Sequence, residues 1–324
     1  MKIRIALLQL NPRIGQIETN ISKVNQLLKK ITTPIDLIVL PELAITGYNF
    51  ADSTHIKPYL ESTANYGPSL NLAKQTSTKF NCVTVIGYPE LHENKTIYNS
   101  CAVFNEIGDL IYNYRKTFLY ETDEKWGSSE NPVKNFPSFE IPFVDKQNGT
   151  SKSIISNIGI CMDLNPYKFE APFNKFEYSL SSYAQRVKLL ICPMAWLHPD
   201  SPSLKSELSL TKRVELADNL KLNEKESSQS TVDYWILRMF PYLNHTHSFI
   251  PKWFNGQDDK VTAICCNRVG TEDDVVYAGS SSIFQFTNDG NYDYDETSSK
   301  NPSVEIVGEL SQVTEDILIR EVDV

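Results

Sequence analysis

Glycine and histidine are scarce in this chain, with 13 and 5 copies among 324 residues. The glycines never fall into the Gly-X-Gly-X-X-Gly spacing that brings a backbone close to a pyrophosphate, so no nucleotide loop is expected. One His-X-His pair, His245 and His247, has no Cys or carboxylate cluster at metal-ligand spacing beside it. No metal and no cofactor are expected. Positive charge is also in deficit: 31 Lys and Arg stand against 40 Asp and Glu, for a net charge of -9, and no basic stripe occurs. That balance argues against a nucleic-acid partner. No apolar run approaches the roughly 18 residues of a membrane-spanning helix, so no membrane partner is expected either. The N-terminal run Ile3 to Leu10 is interrupted by Arg4 and Gln9 and lacks a small-residue cleavage site, which reads as a first strand and not as a signal peptide. Six cysteines, Cys82, Cys101, Cys161, Cys192, Cys265 and Cys266, show no framework spacing. Reduced thiols in a cytoplasmic protein are the expectation.

What is present is a chain that is 41% hydrophobic and 22% charged, read as one domain over residues 1–324. Strand and helix patterns alternate. Ile3 to Leu10 is followed by Ile21, Val24, Leu28 and Ile31 at helical spacing, and then by "DLIVLPE", an apolar strand stopped by a proline. Leu70 to Phe80 reads as a helix and "CVTVIGYPE" as a strand. "YNSCAVFNEIGDLIYNYRK" reads as a hairpin turning at Glu106 to Asp109. Later strands, "SIISNIGI", "LLICPM", "VTAICCN" and "SSIFQF", are apolar nearly throughout, the mark of sheets covered on both faces. The class is α/β. Ser128 to Gly149, Pro199 to Val232 and Asn288 to Ser303 read as loops.

Three of these strands end on chemically useful side chains. Glu42 follows "DLIVLP", Lys116 follows "DLIYNY", and Cys161 follows "SIISNIGI". An acid, a cation and a thiol at strand C-termini sit where α/β scaffolds carry chemistry. A buried cysteine is more often a small hydrophobe than a nucleophile, so Cys161 gains its weight from its two companions.

"LPELAITGY", "YRKTFLYETDEKW" and "GICMDLNPYKFEAPF", in this order, together with "CCNRVGTEDD" and "YAGSSSIF", resemble the motifs of the nitrilase superfamily, the carbon–nitrogen hydrolases. The resemblance implies a four-layer α-β-β-α sandwich of the nitrilase type and a Glu-Lys-Cys triad at Glu42, Lys116 and Cys161. It further implies an oxyanion site at Lys116 and the Met162 N–H. The wording "YRKTFLY", "CPMAWL" and "YWILRMFPYL" resembles the branch of that superfamily acting on N-terminal Asn and Gln of proteins, which implies peptide or protein substrates of that kind. Small-molecule ω-amidases and N-carbamoyl amidases use the same triad, and an idle binding module could keep the fold. Oligomeric state stays open.

The same resemblance places a supporting acid eight residues beyond the lysine, at Glu124, with Asp123 adjacent. For a substrate ammonium, Asp163 is the first candidate anion and Glu272 the second; Asp163 could equally cap the helix that follows. The family commonly has Arg where this chain has Asn165. Trp126, Trp196 and Tyr48 are expected to wall the pocket.

Overall fold

The computed structural model describes residues 1–144, 149–248 and 250–324. Its first sheet orders six strands as β14-β1-β2-β3-β4-β5: β1 (Lys2–Gln9), β2 (Leu37–Val39), β3 (Val83–Leu91), β4 (Ile97–Phe104), β5 (Leu110–Arg115) and β14 (Asp316–Asp323). The second orders six more as β13-β12-β9-β8-β7-β6: β6 (Phe139–Val144), β7 (Ser151–Ile158), β8 (Leu189–Pro193), β9 (Gly256–Cys266), β12 (Ser282–Asn288) and β13 (Val304–Glu309). A two-stranded ribbon, β10 (Thr271–Glu272) and β11 (Val275–Val276), sits between β9 and β12 in the chain.

Period-two alternation sorts the side chains of β1 between two cores. Ile3, Ile5 and Leu7 join Leu189, Ile191 and Ile264 of the second sheet in one apolar cluster between the sheets. Ala6 and Leu8 face the opposite way, into a cluster built with α1 (Ile17–Leu28) and α3 (Pro68–Phe80) through Val24, Leu28, Leu70 and Ala73. Helix α5 (Glu177–Ala184) and helix α7 (Gln229–Arg238) cover the second sheet through Tyr178, Tyr183, Val232 and Trp235. The layers run α-β-β-α. Helix α3 shows how local chemistry sets its limits: it begins with Pro68, which needs no N–H partner there, and ends at Asn81 in the left-handed conformation, φ 50°.

Two stretches expected to be loops carry structure. Within Ser128 to Gly149, Ile141 and Phe143 alternate with exposed neighbours along β6, an edge strand where Pro142 is tolerated; residues 145–148 lie outside the described ones. Within Pro199 to Val232 lie α6 (Leu210–Asn219) and the first turn of α7, whose polar composition hid their period. Short helices α2 (Ser53–Ile56) and α4 (Glu121–Lys125) complete the set. Among the described residues, no helix is long and apolar enough to cross a membrane.

Candidate active site

The C-terminal ends of β2, β5 and β7 converge. Glu42 lies three residues beyond β2, and its backbone rests directly on β3 because Gly87 has no side chain; a Cβ there would meet the Glu42 Cα at 2.7 Å. Lys116 is the residue after β5 and donates its N–H to the Asn99 carbonyl of the neighbouring strand at 2.8 Å. Cys161 opens a one-turn 3-10 helix, Cys161–Leu164, with φ at 46°. A non-glycine residue in that conformation is strained, and such strain gathers at functional sites.

The three side chains meet in a buried network. The Lys116 Nζ donates to Glu42 Oε1 at 2.7 Å and to Asp123 Oδ2 at 2.6 Å, and all three side chains are 0% exposed. The Asn99 Nδ2 bridges the same two acids, 2.7 Å from Glu42 and 2.9 Å from Asp123. The second Glu42 oxygen accepts the Ala195 N–H at 2.7 Å, and that N–H also faces the Cys161 sulfur. Burial raises the Glu42 carboxyl from its ordinary value, against the pull of Lys116. Lys116 and Asn99 donate to one of its oxygens and the Ala195 N–H to the other, which favours the carboxylate against that burial. Burial works against the Lys116 ammonium, but Asp123 and Glu42 outweigh it and hold the cation above its usual range. Burial first, and the Glu42 charge second, push the Cys161 thiol well up, so the sulfur rests as a neutral thiol beside Glu42. Such a pair can run nucleophilic attack with the carboxylate as proton acceptor.

A family model described as carbon-nitrogen hydrolase matches residues 4–192. The protein N-terminal amidase of Saccharomyces cerevisiae is 32% identical, with 99% of this chain and 95% of that protein aligned. The chain belongs to the carbon–nitrogen hydrolase family. The protein N-terminal amidase of Schizosaccharomyces pombe is 31% identical over 88% of this chain and 92% of its own length. A crystal structure of an N-terminal amidase with a Gln-Gly peptide has a TM-score of 0.86 to this chain at 30% identity, covering 99% of this chain and 97% of the other. Like its family, the protein is a hydrolase of carbon–nitrogen amide bonds, built on the nitrilase-type sandwich.

Seen as a carbon–nitrogen hydrolase, the chain departs from several expected residue assignments. The acid on Lys116 is Asp123. Glu124 is exposed, because the single turn of α4 directs Asp123 inward while its own side chain faces solvent. Asp163 is not an open anion. Its carboxylate accepts the N–H groups of Ile160, Thr117 and Phe118 and the Tyr114 hydroxyl at 2.7 to 3.1 Å, which saturates both oxygens. Burial pushes this carboxyl up to about 7. The residue braces the Cys161 turn against the loop that carries Lys116. Glu272 is likewise engaged, by the Tyr48 and Asn49 N–H groups, the Tyr277 hydroxyl and Arg268 at 3.1 Å. Trp126 is fully buried in a cluster with Leu43, Phe50 and Ile56 and takes no part in the pocket wall.

Tyr48 and Trp196 do line the cavity that opens on Cys161, a space of about 340 Å³. Tyr120, Asn165, Tyr234 and Thr231 share its wall, and among the described residues none of its lining side chains is charged. Asn165 stands where the family commonly has Arg, and its Oδ1 accepts the Tyr234 hydroxyl at 2.7 Å. Helix α7 supplies Tyr234 and is locked to the Cys161 turn by Arg238, whose Nε donates to the Leu164 carbonyl at 2.6 Å. Asn99, Ala195 and Tyr234 were not singled out by sequence. A signal existed for Asn99: the hairpin register pairs Ser100 with Arg115 and so sets Asn99 opposite Lys116.

Proposed function

We propose that this chain is a protein N-terminal amidase that converts N-terminal Asn and Gln of peptides and proteins to Asp and Glu with release of ammonia. The observation that carries the reading is the uncharged cavity beside Cys161. A small-molecule ω-amidase must neutralise the carboxylate of its acid substrate, and a buried carboxylate without a cation costs several kcal/mol. Among the described residues, neither Lys nor Arg lines this cavity, and the wall has Asn165, which donates and accepts hydrogen bonds without charge. A peptide whose own carboxylate lies residues away needs no such cation. The full-length similarity to two N-terminal amidases supports the same reading.

In the proposed chemistry the Cys161 sulfur attacks the side-chain carboxamide carbon as its proton passes to Glu42. The tetrahedral oxyanion faces Lys116, two of whose three N–H groups are engaged by Glu42 and Asp123, and the Met162 N–H. Glu42 returns the proton to the departing nitrogen, ammonia leaves, and a thioester remains on Cys161. Water then loses a proton to Glu42 and attacks the thioester carbonyl; the sulfur leaves with that proton, and the new carboxyl group gives its remaining proton to solvent, so the terminal residue carries a carboxylate. The products are acidic N-termini of the kind read in the N-degron pathway, and six free cysteines suit a cytoplasmic setting.

Ammonia release from Asn-peptide, Gln-peptide, acetyl-Asn-peptide and free glutamine tests the reading. Turnover of the first two alone is expected; preference for free glutamine would replace it with the small-molecule one.

A further inference from the structure

The proposed substrate carries an α-ammonium, yet among the described residues no acid lines the cavity, and the two acids first suited to hold it, Asp163 and Glu272, are saturated elsewhere. Covalent geometry restricts where that ammonium can be. In Asn the α-nitrogen is three bonds from the carboxamide carbon and stays within about 4 Å of it; in Gln, one methylene longer, within about 5 Å. Whatever residue wall the peptide follows, its ammonium arrives beside the Cys161 sulfur and so beside the buried cluster behind it.

That cluster is unbalanced. Two carboxylates, Glu42 and Asp123, share one ammonium, Lys116, and among the described residues every other hydrogen-bond partner of the two acids is neutral: the Asn99 amide and the Ala195 and Tyr120 N–H groups. All three charged side chains are 0% exposed, so solvent screens the surplus negative charge poorly. We propose that the substrate's α-ammonium is the missing counter-charge of the Glu42–Lys116–Asp123 cluster, recognised by that field across the neutral cavity and not by a dedicated acid. The inference rests on the N-terminal amidase reading. It accounts for a cavity without charged walls: an added acid would hold the ammonium away from the cluster, and an added base would repel it. Asp123 thereby has two effects, orienting Lys116 and supplying the charge that selects the substrate.

The test is binding to Cys161→Ala protein, measured calorimetrically with two matched ligands: Gln-Val amide and its des-amino analogue, glutaramoyl-Val amide, which lacks only the ammonium. The ammonium ligand is expected to bind tighter by roughly a hundredfold, the scale of one charge pair a few ångströms apart in a partly buried site. Adding Asp123→Asn neutralises the cluster and should shrink that ratio about tenfold or more while the analogue's own affinity stays within about threefold. Adding Glu42→Gln instead neutralises the other acid of the cluster and should shrink the ratio likewise, so a fold defect in one variant leaves the other to decide. A ratio unmoved by both changes overturns the inference, as does one that moves with Asp273→Asn, an acid in the adjoining recess beyond Tyr48 and Tyr120. Failure of the amidase reading looks different: wild-type protein would then release no ammonia from Gln-Val amide.

Discussion

Glu42 and Asp123 differ from Asp163 and Glu272 although all four are buried acids set in the loops around Cys161. The first two converge on one lysine and one asparagine, Lys116 and Asn99. The second two tie loop to loop: Asp163 holds the Cys161 turn to Thr117 and Phe118, and Glu272 holds the β10–β11 ribbon to Tyr48 and Asn49. Burial therefore does not mark a reactive acid; its partners do. A carboxylate filled by backbone N–H groups from a distant loop is a brace, because moving its charge would break the connection.

The contrast is broken most directly by exchanging roles. Cys161→Ser should abolish ammonia release, and Glu42→Gln should lower turnover by about a hundredfold or more, with circular dichroism unchanged in both. Near-normal turnover in Glu42→Gln would place that acid with the braces.

Acid titration sharpens the distinction further. Glu42 accepts a proton only as a carboxylate, and burial holds its carboxyl above the ordinary 4.5. As pH falls through that raised value, kcat/KM should drop by about tenfold per unit, starting above pH 4.5, while tryptophan fluorescence still reports folded protein. A flat profile down to pH 4.5 in folded enzyme would contradict the assignment.

Asp163→Asn should act on stability and leave the chemistry. An amide nitrogen placed where the carboxylate oxygen met the Ile160 or Phe118 N–H sets donor against donor, with a loss of about 1–3 kcal/mol in urea unfolding. In protein kept fully folded, KM for Asn-peptide and the preference over acetyl-Asn-peptide should match wild type. A large rise in KM there would return Asp163 to the substrate.

The strand ends were legible because Glu42, Lys116 and Cys161 each follow a strand-like run, and the resemblance then implied a common purpose. That both sheets are covered on each face followed from apolar strands, and the α-β-β-α order came with the resemblance. What sequence could not show depends on partners far along the chain. Three of the four donors to Asp163 lie 45 to 49 residues away, at Phe118, Thr117 and Tyr114, and sequence alone does not bring them together. The left-handed backbone at Cys161 is equally silent, since no glycine or asparagine announces it.

Glu124 and Asp123 show the finest limit of such reading, and the smallest predicted effect. Both lie in "ETDEK", one residue apart, and a spacing rule of eight from Lys116 selects Glu124. Helix α4 is a single turn whose phase is set by Tyr120, whose N–H donates to Asp123 Oδ2 at 2.9 Å, and neighbouring residues on a helix point about 100° apart. The inward direction goes to Asp123. Glu124→Gln should consequently leave kcat, KM and thermal midpoint within experimental scatter of wild type, whereas Asp123→Asn in the same assay loses turnover by about a hundredfold through misdirected Lys116. Comparable losses in the two variants would mean that α4 turns in solution and that either acid can reach the lysine.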